Sequence, residues 1–209
     1  MTDAPDLALF HAPHTRSIRV LMLLEEMGLD HTVESAPYHE TGEKLEAYKK
    51  FHPLGKIPAL RDGDDAIFES NAILQYILGR YGPSDLEVKP DEADYGRYLQ
   101  WLHFGEGGMT IPVSLLLAHT FMLPEDQRNP GTAKWARAEV DKTLSALGET
   151  GLDGDREYLA GNRFTAADIS VVYMLYLLKL IKQFDGAPDN VKAYFKRITG
   201  RDSWKTATA

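Results

Sequence analysis

The sequence contains no cysteine among its 209 residues. This absence excludes disulfides, iron–sulfur clusters, thiolate zinc sites and any mechanism in which the protein supplies its own nucleophilic thiol. If the protein performs sulfur chemistry, the sulfur must therefore arrive with a ligand.

Basic residues are fewer than acidic ones. The chain carries 23 Lys and Arg against 31 Asp and Glu, which gives a formal net charge of −8 at pH 7. A surface of this sign repels the phosphate backbone, so we expect no nucleic-acid partner. With 44% hydrophobic and 26% charged residues, the composition is that of an ordinary soluble globular protein.

Long apolar runs are also missing. The N-terminus, residues 1–6, is polar and acidic and shows no secretory signal. The longest nearly apolar stretch, residues 169–178, is about half the length of a membrane span. We therefore expect a cytoplasmic protein that does not interact with membranes.

Metal and nucleotide signatures are absent as well. None of the seven histidines belongs to a His-Glu-x-x-His pattern, and the pair His11 and His14 is interrupted by Pro13, which opposes a helix. Gly-x-Ser-x-Gly, Walker and dinucleotide-binding glycine patterns do not occur. We expect no metal site.

Two regions of different pattern flank a break rich in proline, glycine and acidic residues, within which we place a linker at residues 85–90. Residues 1–84 alternate strand and helix signals in the order βαβ, helix, β-hairpin, helix, which predicts an α/β domain with a mixed four-stranded sheet. Residues 91–209 are helical throughout and predict an all-α domain, with residues 166–181 as its buried central helix.

Individual elements have recognisable limits. The first helix should end at Gly28, and Asp62–Asp65 should form the turn of the hairpin. A helix is predicted over residues 70–81. Thr165 and Asp168 have the spacing of a capping box at the start of the central helix.

The segment around Ile57-Pro58 is the first of three that carry groups suited to a small extended ligand. A cis bond before Pro58 would leave the backbone of Ile57 free to pair with an extended ligand, as in strand addition. A plain trans loop proline is the alternative interpretation.

The second segment, Glu69-Ser70, opens a helix whose N–H groups and dipole attract a carboxylate, while Ser70 offers a hydroxyl. The third is the strand-to-helix turn at residues 11–17, in which Thr15 and Ser17 are hydroxyl donors and Arg16 and the following Arg19 add positive potential. Simple helix capping is the alternative interpretation for both segments.

Together these segments resemble, in order and spacing, the N-terminal domain of cytosolic glutathione S-transferases. Residues 55–60, 69–73 and 164–169 are each similar to a motif of that family, and residues 15–21 are similar to the Ser-Arg-Ser turn of its bacterial and fungal branch. The similarity extends over essentially the whole chain. It implies a thioredoxin-like first domain, an all-α second domain and a homodimer.

The resemblance also implies roles by position. Ile57 and Pro58 would present the backbone edge that pairs with the cysteinyl part of glutathione. Glu69 and Ser70 would hold its γ-glutamyl group, and Lys56 its glycyl carboxylate. Arg16 is a further glutathione-binding candidate.

A glutathione transferase must ionise the glutathione thiol before it attacks a small hydrophobic electrophile, by substitution, addition or peroxide reduction. A free thiol has a pKa of about 8.5, and lowering it by about two units needs roughly 2.7 kcal/mol. One charge-assisted hydrogen bond supplies roughly 1.5–3 kcal/mol. Thr15 replaces the first serine of the family turn and is our first candidate for this donor, followed by Ser17 and then His14.

The electrophile pocket is expected between the two domains. Its candidate residues are His14, Trp101, Phe104 and Ile111, with core packing as the alternative for the last three. Two other functions stay open: a glutathione-binding module with weak turnover, and an interaction protein that uses only the scaffold.

Overall fold

The structure, a computed structural model, describes residues 6–209. Residues 1–5, on which the expectation of no secretory signal largely rests, lie outside the described residues. The chain forms two compact units: the first contains the residues up to Ser84 together with Arg201–Ala209, and the second contains Asp85–Gly200.

The first unit is built on a mixed sheet, as the sequence predicts. Its four strands, in the order β2-β1-β3-β4, are β1 (Leu7–His11), β2 (His31–Ser35), β3 (Ala59–Asp62) and β4 (Asp65–Phe68). β1 and β2 are parallel, whereas β1–β3 and β3–β4 are antiparallel. The predicted fold class of this unit is confirmed.

Three helices connect these strands in the predicted order: α1 (Ser17–Met27), α2 (Glu43–Tyr48) and α3 (Ser70–Tyr81). α1 ends at Gly28, whose φ of 60° is left-handed and favours glycine. The first eight residues of α1, Ser17–Leu24, are all buried. α2 corresponds to the helix predicted between the second strand and the hairpin.

The last helix of the chain, α9 (Asp202–Ala207), packs against α1 and belongs to the first unit. The sequence pattern alone groups this segment with the helical domain. Arg201 donates two hydrogen bonds of 2.7 Å to the Glu26 carboxylate, and the Ser203 hydroxyl bonds to the same group. Burial alone would raise the pKa of Glu26, but the hydrogen bonds from Arg201 and Ser203 lower it.

The second unit is all-α, as predicted. Its helices are α4 (Tyr95–His103), α5 (Thr110–Leu117), α6 (Pro130–Ala146), α7 (Ala166–Leu180) and α8 (Asp189–Thr199). Short π-helical segments follow α4, α5 and α6, at Phe104–Gly108, Ala118–Met122 and Leu147–Gly151. The glycine-rich sequence after α4 therefore forms a π-helical turn.

The centre of this unit is α7, which is buried on nearly all sides. Its predicted capping box is present, since Asp168 accepts the Thr165 backbone N–H at 2.8 Å. Gly105 lets the π-helical turn approach α7 closely, because a Cβ at that position would lie 2.6 Å from the carbonyl oxygen of Ser170. Within residues 6–209, no helix has the length and apolar character needed to cross a membrane.

Candidate functional site

The loop before β3 carries the first predicted binding segment. The Ile57–Pro58 peptide bond is cis. Within residues 6–209, no hydrogen bond engages the backbone of Ile57, so its peptide edge is free to pair with a ligand. The Tyr48 hydroxyl donates to the Lys56 carbonyl at 2.7 Å and anchors the loop, while the Lys56 side chain is exposed.

The start of α3 carries groups whose chemistry suits an anion. Ser70 is buried at the first turn, and its Oγ accepts a 3.1 Å hydrogen bond from Arg19 Nη1. Ser70 keeps its own proton for donation to a ligand. The residue before it, Glu69, has a φ of 73°, a left-handed conformation that a non-glycine residue adopts at a cost and that is common at binding sites. The cap position of α3 is Glu69, so Ser70 is not a simple N-cap.

Arg19 lies fully buried in α1, beneath this group. A buried guanidinium costs free energy unless it is hydrogen-bonded, and its bond to Ser70 directs part of its positive charge towards the start of α3. Sequence analysis placed Arg19 only in a general positive region. Its link to Ser70 comes from packing between α1 and α3.

The turn between β1 and α1 contains a set of linked side chains, His11, Thr15 and Ser17, which we call the hydroxyl network. Ser17 Oγ lies 2.8 Å from His11 Nδ1 and 2.7 Å from Thr15 Oγ1. The Ala12 carbonyl, 2.8 Å from Thr15 Oγ1, is a further acceptor for the Thr15 hydroxyl. Thr15 is 7% exposed and Ser17 is 0% exposed, so Thr15 is the outer of the two hydroxyl residues, while His11 is half-buried.

The other two candidates in this turn are arranged differently. His14 is exposed and has a left-handed φ of 62°, and Arg16 is half-buried at the cap position of α1. The side chain of Arg16 makes no cap hydrogen bond, but Thr15 Oγ1 accepts the backbone N–H of Ser17, the first residue of α1, at 3.4 Å, so Thr15 also fulfils part of the capping interpretation.

The three segments converge in the first unit. β1 and β3 are antiparallel with Phe10 opposite Ala59, which places the turn after β1 beside the loop that precedes β3. The bond between Arg19 and Ser70 brings the start of α3 to α1. The sheet and the helices thus position residues that are far apart in sequence around one region.

His52 is a residue of this region that sequence analysis missed. It is buried, and its ring lies 4.8 Å from that of Phe68. Burial lowers the pKa of His52. The charge of Glu69 acts to raise this pKa and the charge of Lys56 acts to lower it, which shows that both side chains are near the imidazole. His52 therefore lies among residues predicted to bind glutathione. His11 was noted only as part of the turn. No local sequence spacing predicts the surroundings of His52 or the contact of His11 with Ser17, because packing between separate segments creates both.

Three electrophile-pocket candidates lie in the second unit. Trp101 is buried in its interior, with its ring edge-on to Phe104 at 4.9 Å, so core packing is what the structure shows for this residue. Phe104 is half-buried, and Ile111 is 62% exposed. Among residues 6–209, there is no group of three or more His, Asp or Glu side chains suited to hold a metal ion.

Comparison with known proteins finds relatives that are similar along most of this chain. Glutathione S-transferase 3 of Schizosaccharomyces pombe is 26% identical, over 96% of this chain and 86% of that protein. Elongation factor 1-gamma of Prunus avium is 30% identical, over 93% of this chain but only 46% of that protein. The solved structure of the glutathione transferase URE2P6 from Phanerochaete chrysosporium, in complex with oxidized glutathione, has a TM-score of 0.84 and 25% identity, over 99% of this chain and 96% of that one.

The family models match both halves of the sequence. The model for the glutathione S-transferase N-terminal domain matches residues 15–78, and the model for the C-terminal domain matches residues 59–197. These matches agree with the thioredoxin-like first unit, the helical second unit and the motifs quoted above. The chain belongs to the glutathione S-transferase family.

Proposed function

We propose that this protein is a glutathione transferase that binds glutathione in its first unit and ionises the thiol for attack on small hydrophobic electrophiles. Substitution, addition and peroxide reduction all begin with this thiolate. The observation that carries the proposal is the convergence of a free Ile57 backbone, an Arg19-linked Ser70 and the Thr15 hydroxyl. These three protein groups suit, in that order, the cysteinyl backbone, the γ-glutamyl carboxylate and the thiol of one glutathione molecule.

Each part of glutathione has a chemically suitable partner. The extended cysteinyl backbone pairs with Ile57 at the cis-Pro58 loop. The γ-glutamyl carboxylate accepts a hydrogen bond from the Ser70 hydroxyl, and the γ-glutamyl ammonium group is attracted by the exposed Glu69 carboxylate. The exposed Lys56 attracts the glycyl carboxylate.

Burial supports Thr15 as the donor to the sulfur. Ser17 has no exposed surface and its Oγ is surrounded by His11, Thr15 and Ala12, so it has no free face for a ligand. Of the two hydroxyl residues, Thr15 is the one that keeps some exposed surface. A hydrogen bond from its hydroxyl to an anionic sulfur is worth roughly 1.5–3 kcal/mol, enough to lower a thiol pKa by about one to two units.

Further parts of the proposal concern the second substrate and the assembly. We retain the exposed Ile111 and the half-buried Phe104 as apolar contacts for the electrophile, with His14, and omit Trp101, whose ring has almost no free surface. Arg16 adds positive potential near the thiolate. We also propose that the protein works as a homodimer in the cytoplasm, as the family resemblance implies.

Retention on immobilised glutathione, combined with a turnover assay, tests the function. We expect the protein to be retained, to elute with free glutathione, and to conjugate a model aryl halide in a glutathione-dependent reaction. Failure to bind glutathione in solution by calorimetry would contradict the proposal.

A second candidate function is a glutathione-binding module without useful turnover. The similarity to elongation factor 1-gamma and the threonine in place of the serine of the family turn favour it. Retention on glutathione without conjugation of any aryl halide, enone or hydroperoxide would establish this alternative.

Replacing Ser70 by alanine is expected to weaken glutathione binding by about 10- to 100-fold, since a hydrogen bond to a charged group is worth roughly 1.5–3 kcal/mol. The same change removes the acceptor for Arg19 Nη1. Isothermal titration calorimetry measures the dissociation constant. Turnover at saturating glutathione should change much less.

Ser70→Thr is the matched control, because it keeps the hydroxyl at the start of α3. We expect this variant to retain affinity within about threefold of wild type. An unchanged dissociation constant in Ser70→Ala would remove Ser70 from the binding site.

A further inference from the structure

The hydroxyl network offers more acceptor atoms than it has side-chain protons to donate. Thr15 and Ser17 each carry one hydroxyl proton, and a neutral imidazole carries one N–H. The Ala12 carbonyl lies 2.8 Å from the Thr15 hydroxyl and 3.3 Å from that of Ser17. Two directions of donation therefore fit the same heavy-atom positions.

In the first direction, His11 Nδ1–H donates to Ser17, Ser17 donates to Thr15, and Thr15 keeps its proton for a ligand. In the second, Ser17 donates to His11 Nδ1 and Thr15 donates to Ser17, so that only lone pairs of Thr15 face outwards. A thiolate is stabilised by the first arrangement and repelled by the second. The direction of the network thus decides whether Thr15 can ionise the thiol.

We propose that His11 is a positioning residue that directs the hydroxyl network, through Ser17, so that Thr15 donates its proton to the glutathione sulfur. The proposal rests on the function proposed above. His11 does not touch the substrate in this arrangement. Because its Nδ1 carries a proton, the ring donates to Ser17 Oγ and cannot accept the Ser17 proton, which is then directed to Thr15.

The surroundings of His11 suit this role. The residue ends β1, and its carbonyl accepts the Ala36 N–H at 2.9 Å, which fixes the backbone from which the ring projects. Burial lowers the pKa of His11, so the ring is neutral at pH 7 and its single N–H can lie on Nδ1. When Thr15 turns its proton from the Ala12 carbonyl to the sulfur, that carbonyl keeps the 3.3 Å bond from the Thr15 backbone N–H.

A matched pair of substitutions, His11→Asn and His11→Leu, tests the proposal. The two side chains have the same shape, but only asparagine places an N–H donor near the position of Nδ1. We expect His11→Asn to keep the pKa of bound glutathione near its wild-type value. In His11→Leu no donor directs Ser17, whose proton can turn to the Ala12 carbonyl 3.3 Å away. We expect this variant to raise that pKa and lower turnover at neutral pH by roughly three- to tenfold, the value of one hydrogen bond.

The pKa of the bound thiol is read from the ultraviolet absorbance of the thiolate as pH is varied, and the glutathione dissociation constant is measured in parallel. A purely structural role for His11 would alter affinity or thermal stability rather than the thiol pKa alone. Equal thiol pKa values in wild type, His11→Asn and His11→Leu would overturn the proposal.

A double-mutant cycle with Ser17→Ala identifies the route. Without the Ser17 hydroxyl, the difference between His11→Asn and His11→Leu should disappear. A difference that persists in the Ser17→Ala background would show that His11 acts by another route and would also overturn the proposal. If the wild-type protein fails to bind glutathione or to lower its thiol pKa, the proposed function itself fails. This outcome differs from equal thiol pKa values in the His11 variants and from a persistent difference in the Ser17→Ala background, which overturn only the role of His11.

Discussion

Thr15→Val should conjugate electrophiles roughly 10- to 100-fold more slowly than the wild-type protein, at an almost unchanged affinity for glutathione. Valine keeps the shape of threonine but has no hydroxyl, so the sulfur loses a hydrogen bond worth roughly 1.5–3 kcal/mol to the anion. The rest of the ligand still binds through Ile57, Ser70 and Lys56. Steady-state kinetics with an aryl halide gives the turnover, and the thiolate absorbance shows the bound thiol pKa moving towards its free value.

Two controls accompany this substitution. Thr15→Ser keeps the hydroxyl and should stay within about threefold of wild type. Thr32→Val removes the hydroxyl of an exposed β2 threonine, which donates to the Leu7 carbonyl at 3.3 Å, and should not affect the rate. Wild-type turnover in Thr15→Val, together with its loss in Ser17→Ala, would transfer the donor role to Ser17.

Asp168→Asn is expected to reduce the free energy of unfolding by about 2–4 kcal/mol at neutral pH. Oδ1 of this buried carboxylate accepts the Leu159 N–H at 3.0 Å and the Tyr194 hydroxyl at 3.1 Å. Oδ2 accepts the backbone N–H and the hydroxyl of Thr165. Asparagine replaces one of these two oxygens by an NH2 group, which is a donor. The two buried groups that donate to that oxygen in the wild-type protein then lose their acceptor.

Urea unfolding followed by circular dichroism measures this loss. Asp189→Asn serves as the matched control, because Asp189 is a fully exposed aspartate in the first turn of α8 in the same unit. Its effect should stay within about 0.5 kcal/mol. Equal stabilities of the two variants would show that the Asp168 hydrogen bonds contribute no net stability.

The stability difference between wild type and Asp168→Asn should depend on pH. Burial raises the pKa of Asp168 to about 6, against the opposing hydrogen bonds from Leu159, Thr165 and Tyr194. A carboxyl whose pKa is higher in the folded than in the unfolded chain contributes stability that is complete below about pH 4 and is lost as pH rises through about 6. The stability advantage of wild type over Asp168→Asn should therefore be larger at pH 4 than at pH 7, and the opposite trend would contradict this assignment.

The sequence by itself determined the elements that depend on neighbours along the chain. The end of α1 at Gly28, the hairpin turn at residues 62–65 and the capping box of Thr165 and Asp168 all follow from interactions within a few residues. The motifs around Ile57 and Ser70 likewise identified the family from local order and spacing. The strand and helix pattern then limited the first unit to one mixed sheet.

Only the tertiary structure decided which distant side chains meet. It placed α9 against α1 through Arg201 and Glu26, joined Arg19 to Ser70, and buried Trp101 where the sequence suggested a pocket. Sequence analysis ranked Thr15 before Ser17 by family position, and burial now supplies a physical reason for that order. The cause is general: helix stops, turns and caps are stabilised by local contacts, whereas the exposure and partners of a side chain depend on how separate elements pack.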